Sequence, residues 1–155
     1  ISGSGDGPYL RTGDLGLVRD GELFVTGRLK DVIIIRGRKH YAQDIESTVA
    51  KSHTSVRASA SFPVCVEDTE QLVIVAEIQR SATDPVISAI RQSVNERHEI
   101  DVACIVLAAP GRIPRTTSGK LRRRCCRDLW LRGELDSVVQ WSKDAVRQLA
   151  KARTA

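Results

Sequence analysis

The chain has 155 residues, 41% of them hydrophobic and 28% charged, which suits one ordinary folded domain with room for the rim of a second. A net charge of +5 with only 4% aromatic residues argues against the base-stacking platform of a nucleic-acid binder, so no nucleic-acid partner is expected. No apolar run approaches a membrane span, and the start of the chain lacks a secretory signal pattern.

The cysteines are Cys65, Cys104, Cys125 and Cys126, with no Cys-x-x-Cys pair among them. That spacing indicates neither a zinc ribbon nor a secreted disulfide framework, and predicts reduced, mostly buried thiols in a cytoplasmic protein. With no Met and Ile1 at its start, the chain reads as a piece of a longer one.

In chain order, residues 1–8 read as a Gly/Ser loop, and Tyr9–Gly16 as a strand breaking into a glycine turn that carries Asp14. Asp20-Gly21 between apolar runs predicts a hairpin, with Glu22–Thr26 as the returning strand. Val32–Ile35 is β-branched, too short for a helix and suited to a buried strand. Gly37 turns the chain, and Gln43–Ser52 forms a helix with Ile45 and Val49 on one face and acids at its positive end. Ala58–Val66 and Leu72–Gln79 are expected to pair across the acidic turn Glu67-Asp68-Thr69-Glu70.

Asp84-Pro85 opens a helix to about His98, with Val86, Ile90 and Val94 on one face. Val102–Leu107 is the next strand, and Ala109–Ser118 a long, flexible polar loop. A basic helix follows from Gly119, with Leu121, Cys125 and Leu129 as its apolar side. Glu134–Ala150 has the spacing of a last amphipathic helix through Leu135, Val138, Val139, Val146 and Leu149. Strands alternating with helices predict a small α/β or α+β layer domain.

Three clusters could carry chemistry. Asp14 on its glycine turn could accept hydrogen bonds from adjacent ribose hydroxyls, or simply cap that turn. Arg28, before Lys30 and Asp31, is a five-donor fork suited to hydroxyl or phosphate oxygens, or a solvated charge before a strand. Lys120 ends the run Pro114-Arg115-Thr116-Thr117-Ser118-Gly119, but this is not a phosphate-binding loop. Pro114 stands where its first glycine belongs, and Leu121 where its hydroxyl residue belongs. What remains is a mobile point charge that a loop could bring to a reacting phosphate, or an exposed lysine.

In this order the clusters resemble a family. Tyr9-Leu10-Arg11-Thr12-Gly13-Asp14, then Gly27-Arg28-Leu29-Lys30-Asp31 with its strand and glycine turn, then Pro114–Leu121 are similar to the late motifs of adenylate-forming enzymes. Those comprise acyl-CoA synthetases, peptide-synthetase adenylation domains and luciferases. Arg36–Glu46 is most similar to the fatty-acyl-AMP ligases of mycobacteria and related bacteria, with Ala42 in place of a usual proline and Lys39 in place of a common Asn.

The resemblance implies an α+β fold, a short β-hairpin plus a small mixed sheet flanked by helices. Residues 1–27 would be the last hairpin of a large N-terminal domain and 28–155 a small mobile C-terminal domain. Asp14 and Arg28 would hold the ribose of ATP and acyl-AMP, with Lys30 as the hinge. Lys120 would reach the α-phosphate during adenylation, and Gly37 would face the incoming thiol after domain rotation. The substrates implied are a fatty acid and ATP, with Mg²⁺ held mainly through the large domain. The acceptor implied is an acyl-carrier protein of a polyketide synthase. The piece alone would be inactive. An acyl-CoA synthetase or amino-acid-adenylating domain shares the first half of this chemistry, and a non-catalytic basic binding module is the distant alternative.

Overall fold

The computed structural model describes residues 11–79, 83–144 and 146. Residues 1–8, with Tyr9 and Leu10, lie outside this description, as does Leu149. A hairpin comes first. β1 (Asp14–Arg19) pairs antiparallel with β2 (Glu22–Arg28) across Asp20-Gly21, whose φ values of 53° and 82° are the left-handed pair that a two-residue hairpin turn needs. The glycine turn expected around Asp14 lies one residue earlier, at Gly13 (φ 76°), so Asp14 opens β1. Within the strand, a Cβ at Gly16 would meet the Phe24 carbonyl oxygen at 2.8 Å, so the bulge there admits only glycine without a shift. Leu17, Val18, Leu23, Phe24 and Val25 on this hairpin are all exposed.

A single 3-10 turn, Leu29–Asp31, leads into a second ribbon of β3 (Val32–Ile35) and β4 (Arg38–Tyr41), with Gly37 in the connecting turn. Ile33 and Ile35 are buried while Ile34 is exposed, so β3 covers the core with one face only. β4 is an element that the sequence reading did not include. α1 (Ala42–Ser52) follows directly, with Ala42, Ile45, Glu46 and Val49 on its buried stripe.

The rest forms one sheet. β5 (Val56–Val66) and β6 (Thr69–Ile78) pair antiparallel, and the acidic turn shrinks to Glu67 and Asp68, both at positive φ. α2 (Thr83–His98) crosses over to β7 (Cys104–Ala108), which lies parallel to β6. After α3 (Arg123–Leu131), β8 (Val139–Ser142) adds an antiparallel edge, giving the strand order β5-β6-β7-β8.

α1, α2 and β3 pack on one face through Ile33, Ile45, Val49, Ile74, Ile90 and Ile105. α3 packs on the other, where Phe62, Val73, Val75, Val106, Cys126 and Trp130 meet. Strands covered on both sides read as unbroken apolar runs, as Leu72–Ala76 does.

Three expectations change. Residues 139–142 are a strand rather than part of a helix. The open edge of β7 captures them, beginning with the Val138 N–H on the Leu107 carbonyl at 2.7 Å, and Val139 and Trp141 suit a half-covered strand. The basic helix starts at Arg123, because the Arg122 N–H donates to the Pro114 carbonyl and Leu121 pairs with Arg115. Its buried side is Cys126 and Trp130, one residue round from the side expected. Cys65 is exposed, since alternation along β5 turns Val64 and Val66 inward; Cys104 and Cys126 are buried, and all of these thiols are free. Among the described residues no helix is long and apolar enough to cross a membrane.

Candidate functional site

The hairpin delivers the first two charged groups. Asp14 and Arg28 are partners in the register of β1 and β2, and the Arg28 Nε donates to Asp14 Oδ1 at 3.0 Å. Both side chains remain open to solvent, at 52% for Arg28 and 36% for Asp14. The Leu29 N–H donates to the Gly13 carbonyl at 2.8 Å, so the chain is tied to the hairpin up to Leu29. Lys30 follows, exposed, in the middle of the 3-10 turn.

One residue further on, the chain is tied to the other body. Arg123 Nη1 donates to Asp31 Oδ2 at 2.9 Å, while its Nε and Nη2 grip Glu46 Oε1 and Oε2 at 2.7 and 2.6 Å. Glu46 Oε1 also accepts the Ser61 N–H at 3.0 Å. These bonds join the 3-10 turn, α1, β5 and α3 at one point. The Arg123 pKa is raised, first by the hydrogen bonds it donates to Glu46 and in spite of its burial. A forked, two-bond grip of this kind is specific to arginine.

Lys120 stands on a closed turn, which corrects the flexible loop expected for Ala109–Ser118. Thr116 N–H donates to the Lys120 carbonyl at 2.8 Å, and the Lys120 N–H donates to Thr116 Oγ1 at 3.0 Å. Thr116 and Ser118 hydroxyls meet at 3.0 Å, and Gly119 takes a left-handed φ of 79° where a side chain would be strained. The turn is anchored from below by Glu77, a buried acid on β6 that accepts the Ile113 N–H at 2.7 Å.

These parts face one another. Asp14, Arg28, Lys30 and Lys120 line a single cleft of about 800 Å³ between the hairpin and the sheet body, together with Tyr41, Gln43, Asp44, Arg122 and Arg124. Tyr41 closes against Gly27, where a Cβ would approach its ring at 3.1 Å. Gly37 is not in this cleft; it sits at the tip of the β3–β4 ribbon. Among the described residues there is no group of three His, Cys, Asp or Glu side chains fit for a metal. The cleft can therefore offer an anion several cations and a diol the exposed carboxylates of Asp14 and Asp44.

A second groove of about 890 Å³ runs between α1 and α2 past Thr48, Lys51, Glu96 and His98. Its walls mix both signs of charge, and the His98 ring nitrogen is already engaged with Thr48 Oγ1 at 2.8 Å.

Sequence reasoning missed Glu46, Glu77 and Arg123 as organising residues. Signals for two of them existed. Glu46 lies on the i, i+3, i+4, i+7 stripe of Ala42, Ile45 and Val49, and Glu77 interrupts the apolar run Leu72–Ile78. An acid in such a place must find a cation or donors.

Comparison with known proteins follows the same parts. The medium-chain-fatty-acid acyl-carrier-protein ligase JamA of Moorena producens is 49% identical over 148 residues, covering 91% of this chain and 24% of the relative. The long-chain-fatty-acid AMP ligase FadD26 of Mycobacterium tuberculosis is 46% identical over 132 residues, covering 78% and 22%. A crystal structure of a fatty acid AMP ligase from Legionella pneumophila superposes with a TM-score of 0.61 at 38% identity, covering 90% of this chain and 26% of that one. The chain thus spans about a quarter of the length of these relatives. The family model for Disco-interacting protein 2-like AMP domains matches residues 30–140, from the 3-10 turn through the Lys120 turn to the edge strand. On that match, and on the fold and cleft it runs through, the chain belongs to the Disco-interacting protein 2-like AMP-domain family of adenylate-forming enzymes.

Proposed function

We propose that this chain is the small C-terminal domain, with the last hairpin of the large domain, of a cytoplasmic ATP-dependent ligase that activates a fatty acid as acyl-AMP. The boundary falls after residue 27, and Lys30 is the hinge. The observation that carries the reading is the convergence of Asp14, Arg28 and Lys120 on one cleft, in a chain whose relatives are named fatty-acid ligases. The fatty-acid carboxylate attacks the α-phosphorus of ATP, the bond to pyrophosphate breaks, and negative charge builds on the phosphoryl oxygens.

The Lys120 ammonium, set by its turn, stabilises that charge where it develops. Asp14 accepts from the ribose hydroxyls and Arg28 holds Asp14 in place while donating to the same ribose. Mg²⁺, held mainly through the large domain, would supply charge neutralisation at the leaving phosphates. In the second half-reaction the small domain rotates about Lys30, Lys120 leaves, and the Gly37 turn faces the thiol of an acyl-carrier protein. The relative JamA is named for that acceptor.

The test is Lys120→Ala in the full-length enzyme. Adenylation from fatty acid and ATP should slow by roughly a hundredfold or more, because charge stabilisation in the transition state is lost. Transfer from pre-made acyl-AMP to carrier protein should be spared, and the melting temperature nearly unchanged because the side chain is exposed. Equal damage to both half-reactions would mean that Lys120 serves the fold or nucleotide binding alone. Offering CoA in place of carrier protein in the transfer assay checks the acceptor.

A further inference from the structure

Glu77 is a buried acid with no part in the chemistry above, at the end of β6 beneath the Lys120 turn. Its Oε1 accepts the N–H of Ile113, itself buried, at 2.7 Å. Its Oε2 lies 3.8 Å from Arg115 Nη2, and the same guanidinium donates from Nη1 to the Gly119 carbonyl at 3.3 Å. Gly119 is the residue before Lys120. The acid thus touches the turn at both levels, holding its root through Ile113 and drawing in the arginine that closes its tip.

A neutral acceptor would satisfy the Ile113 N–H. A carboxylate does more, because it also orients Arg115 by charge. An exposed lysine has no packing to fix its position, so its placement depends on the backbone beneath it. Groups that stabilise a transition state need placement within about half an ångström, and a shift of 1 Å can cost up to roughly a hundredfold in rate.

We propose that Glu77 is a positioning residue for Lys120, acting through Ile113 and Arg115 to set the turn for adenylation. This rests on the adenylation role assigned to Lys120. The side chain of Glu77 reaches neither the cleft nor the substrate; its effect is on where Lys120 stands.

The experiment measures both half-reactions in the full-length enzyme for Glu77→Gln, Arg115→Gln, their double variant and Lys120→Ala. Glu77→Gln keeps an acceptor for Ile113 and loses the charge. Arg115→Gln alters a side chain 39% exposed and so tests the link without disturbing the core. Each single variant should lower kcat for adenylation by about tenfold with KM for ATP held, and leave transfer from pre-made acyl-AMP within about twofold. The double variant should be no worse than the single ones, since both cut the same link. Lys120→Ala impairing adenylation while both Glu77→Gln and Arg115→Gln leave it normal overturns this inference alone. Lys120→Ala without effect on adenylation overturns it together with the proposed function. A loss shared equally by the two half-reactions, or tracking a fall in melting temperature, also overturns it, because the role of Glu77 is then only to hold the fold.

Discussion

Arg28 and Arg123 meet carboxylates on opposite flanks of Lys30, and they do so in different surroundings. The Arg28–Asp14 pair is 3.0 Å apart, with side chains 52% and 36% exposed. Arg123 is 19% exposed and holds Glu46, whose side chain is 9% exposed, at 2.6 Å while keeping Asp31 at 2.9 Å. An exposed pair contributes about 0–1 kcal/mol and is easily exchanged for another partner. A buried, hydrogen-bonded carboxylate cannot lose its cation without a large penalty. The comparison teaches that one flank of the 3-10 turn is open to a ligand and the other is locked into the sheet body. Lys30 lies between the Leu29 bond to Gly13 and the Asp31 bond to Arg123, which is where a hinge would concentrate its φ/ψ change.

Breaking the locked flank should have the largest effect on stability. Arg123→Ala leaves Glu46 buried beside a cavity, and should destabilise the fold by about 3–5 kcal/mol. A thermal melt would register this as a fall of roughly 2–4 °C for each kcal/mol in a domain of this size. If the variant melted with the wild type, the buried clamp would not be the anchor described here.

Breaking the open flank should cost far less stability and more binding. Asp14→Ala removes an exposed pair, so its melting temperature should stay close to wild type. ATP and acyl-AMP binding should nonetheless weaken by about tenfold, as expected when a charged hydrogen-bonding group of roughly 1.5 kcal/mol is lost. Titration of nucleotide into the full-length variant checks this; normal adenylation at low ATP would remove Asp14 from the site.

The third expectation sharpens the comparison with a probe on each side of the sheet. Burial pushes the thiols of Cys104 and Cys126 up to about 12, so both are neutral at pH 8 and shielded as well. Cys65 is exposed and should be alkylated first. Because thiolate is the reacting form, labelling at Cys104 and Cys126 should stay slow until pH approaches the raised values or the sheet opens. Cys126 follows Arg123 on α3, so Arg123→Ala should speed its labelling, whereas Asp14→Ala should leave it alone. Peptide mass mapping over a time course reads the difference.

Much of this was legible from local chemistry. Asp20-Gly21 and Gly37 mark turns because left-handed backbone is cheap at glycine, and both turns form. Val32–Ile35 and Leu72–Ile78 are strands because short β-branched runs have no room for helical periodicity. The motif residues Asp14, Arg28 and Lys120 could be named from their spacing and resemblance, without any knowledge of where they meet. The sequence reading failed where a residue's partner is far away in the chain. Val139–Ser142 kept a helical pattern on paper, and became a strand because β7 had a free edge. Arg123 looked like one more charge in a basic helix; its two carboxylates come from positions 77 and 92 residues distant.

By itself, then, the sequence determined turns, buried runs and the chemical identity of the cleft residues, since these depend on a side chain and its immediate neighbours. Tertiary structure decided that Asp14 and Lys120 share one cleft, that Glu46 and Asp31 share one arginine, and that the Lys120 loop is a closed turn above Glu77. Each of those depends on groups made adjacent only by sheet pairing and helix packing. The free energy of burying or exposing a charge is settled by that adjacency rather than by the residue type.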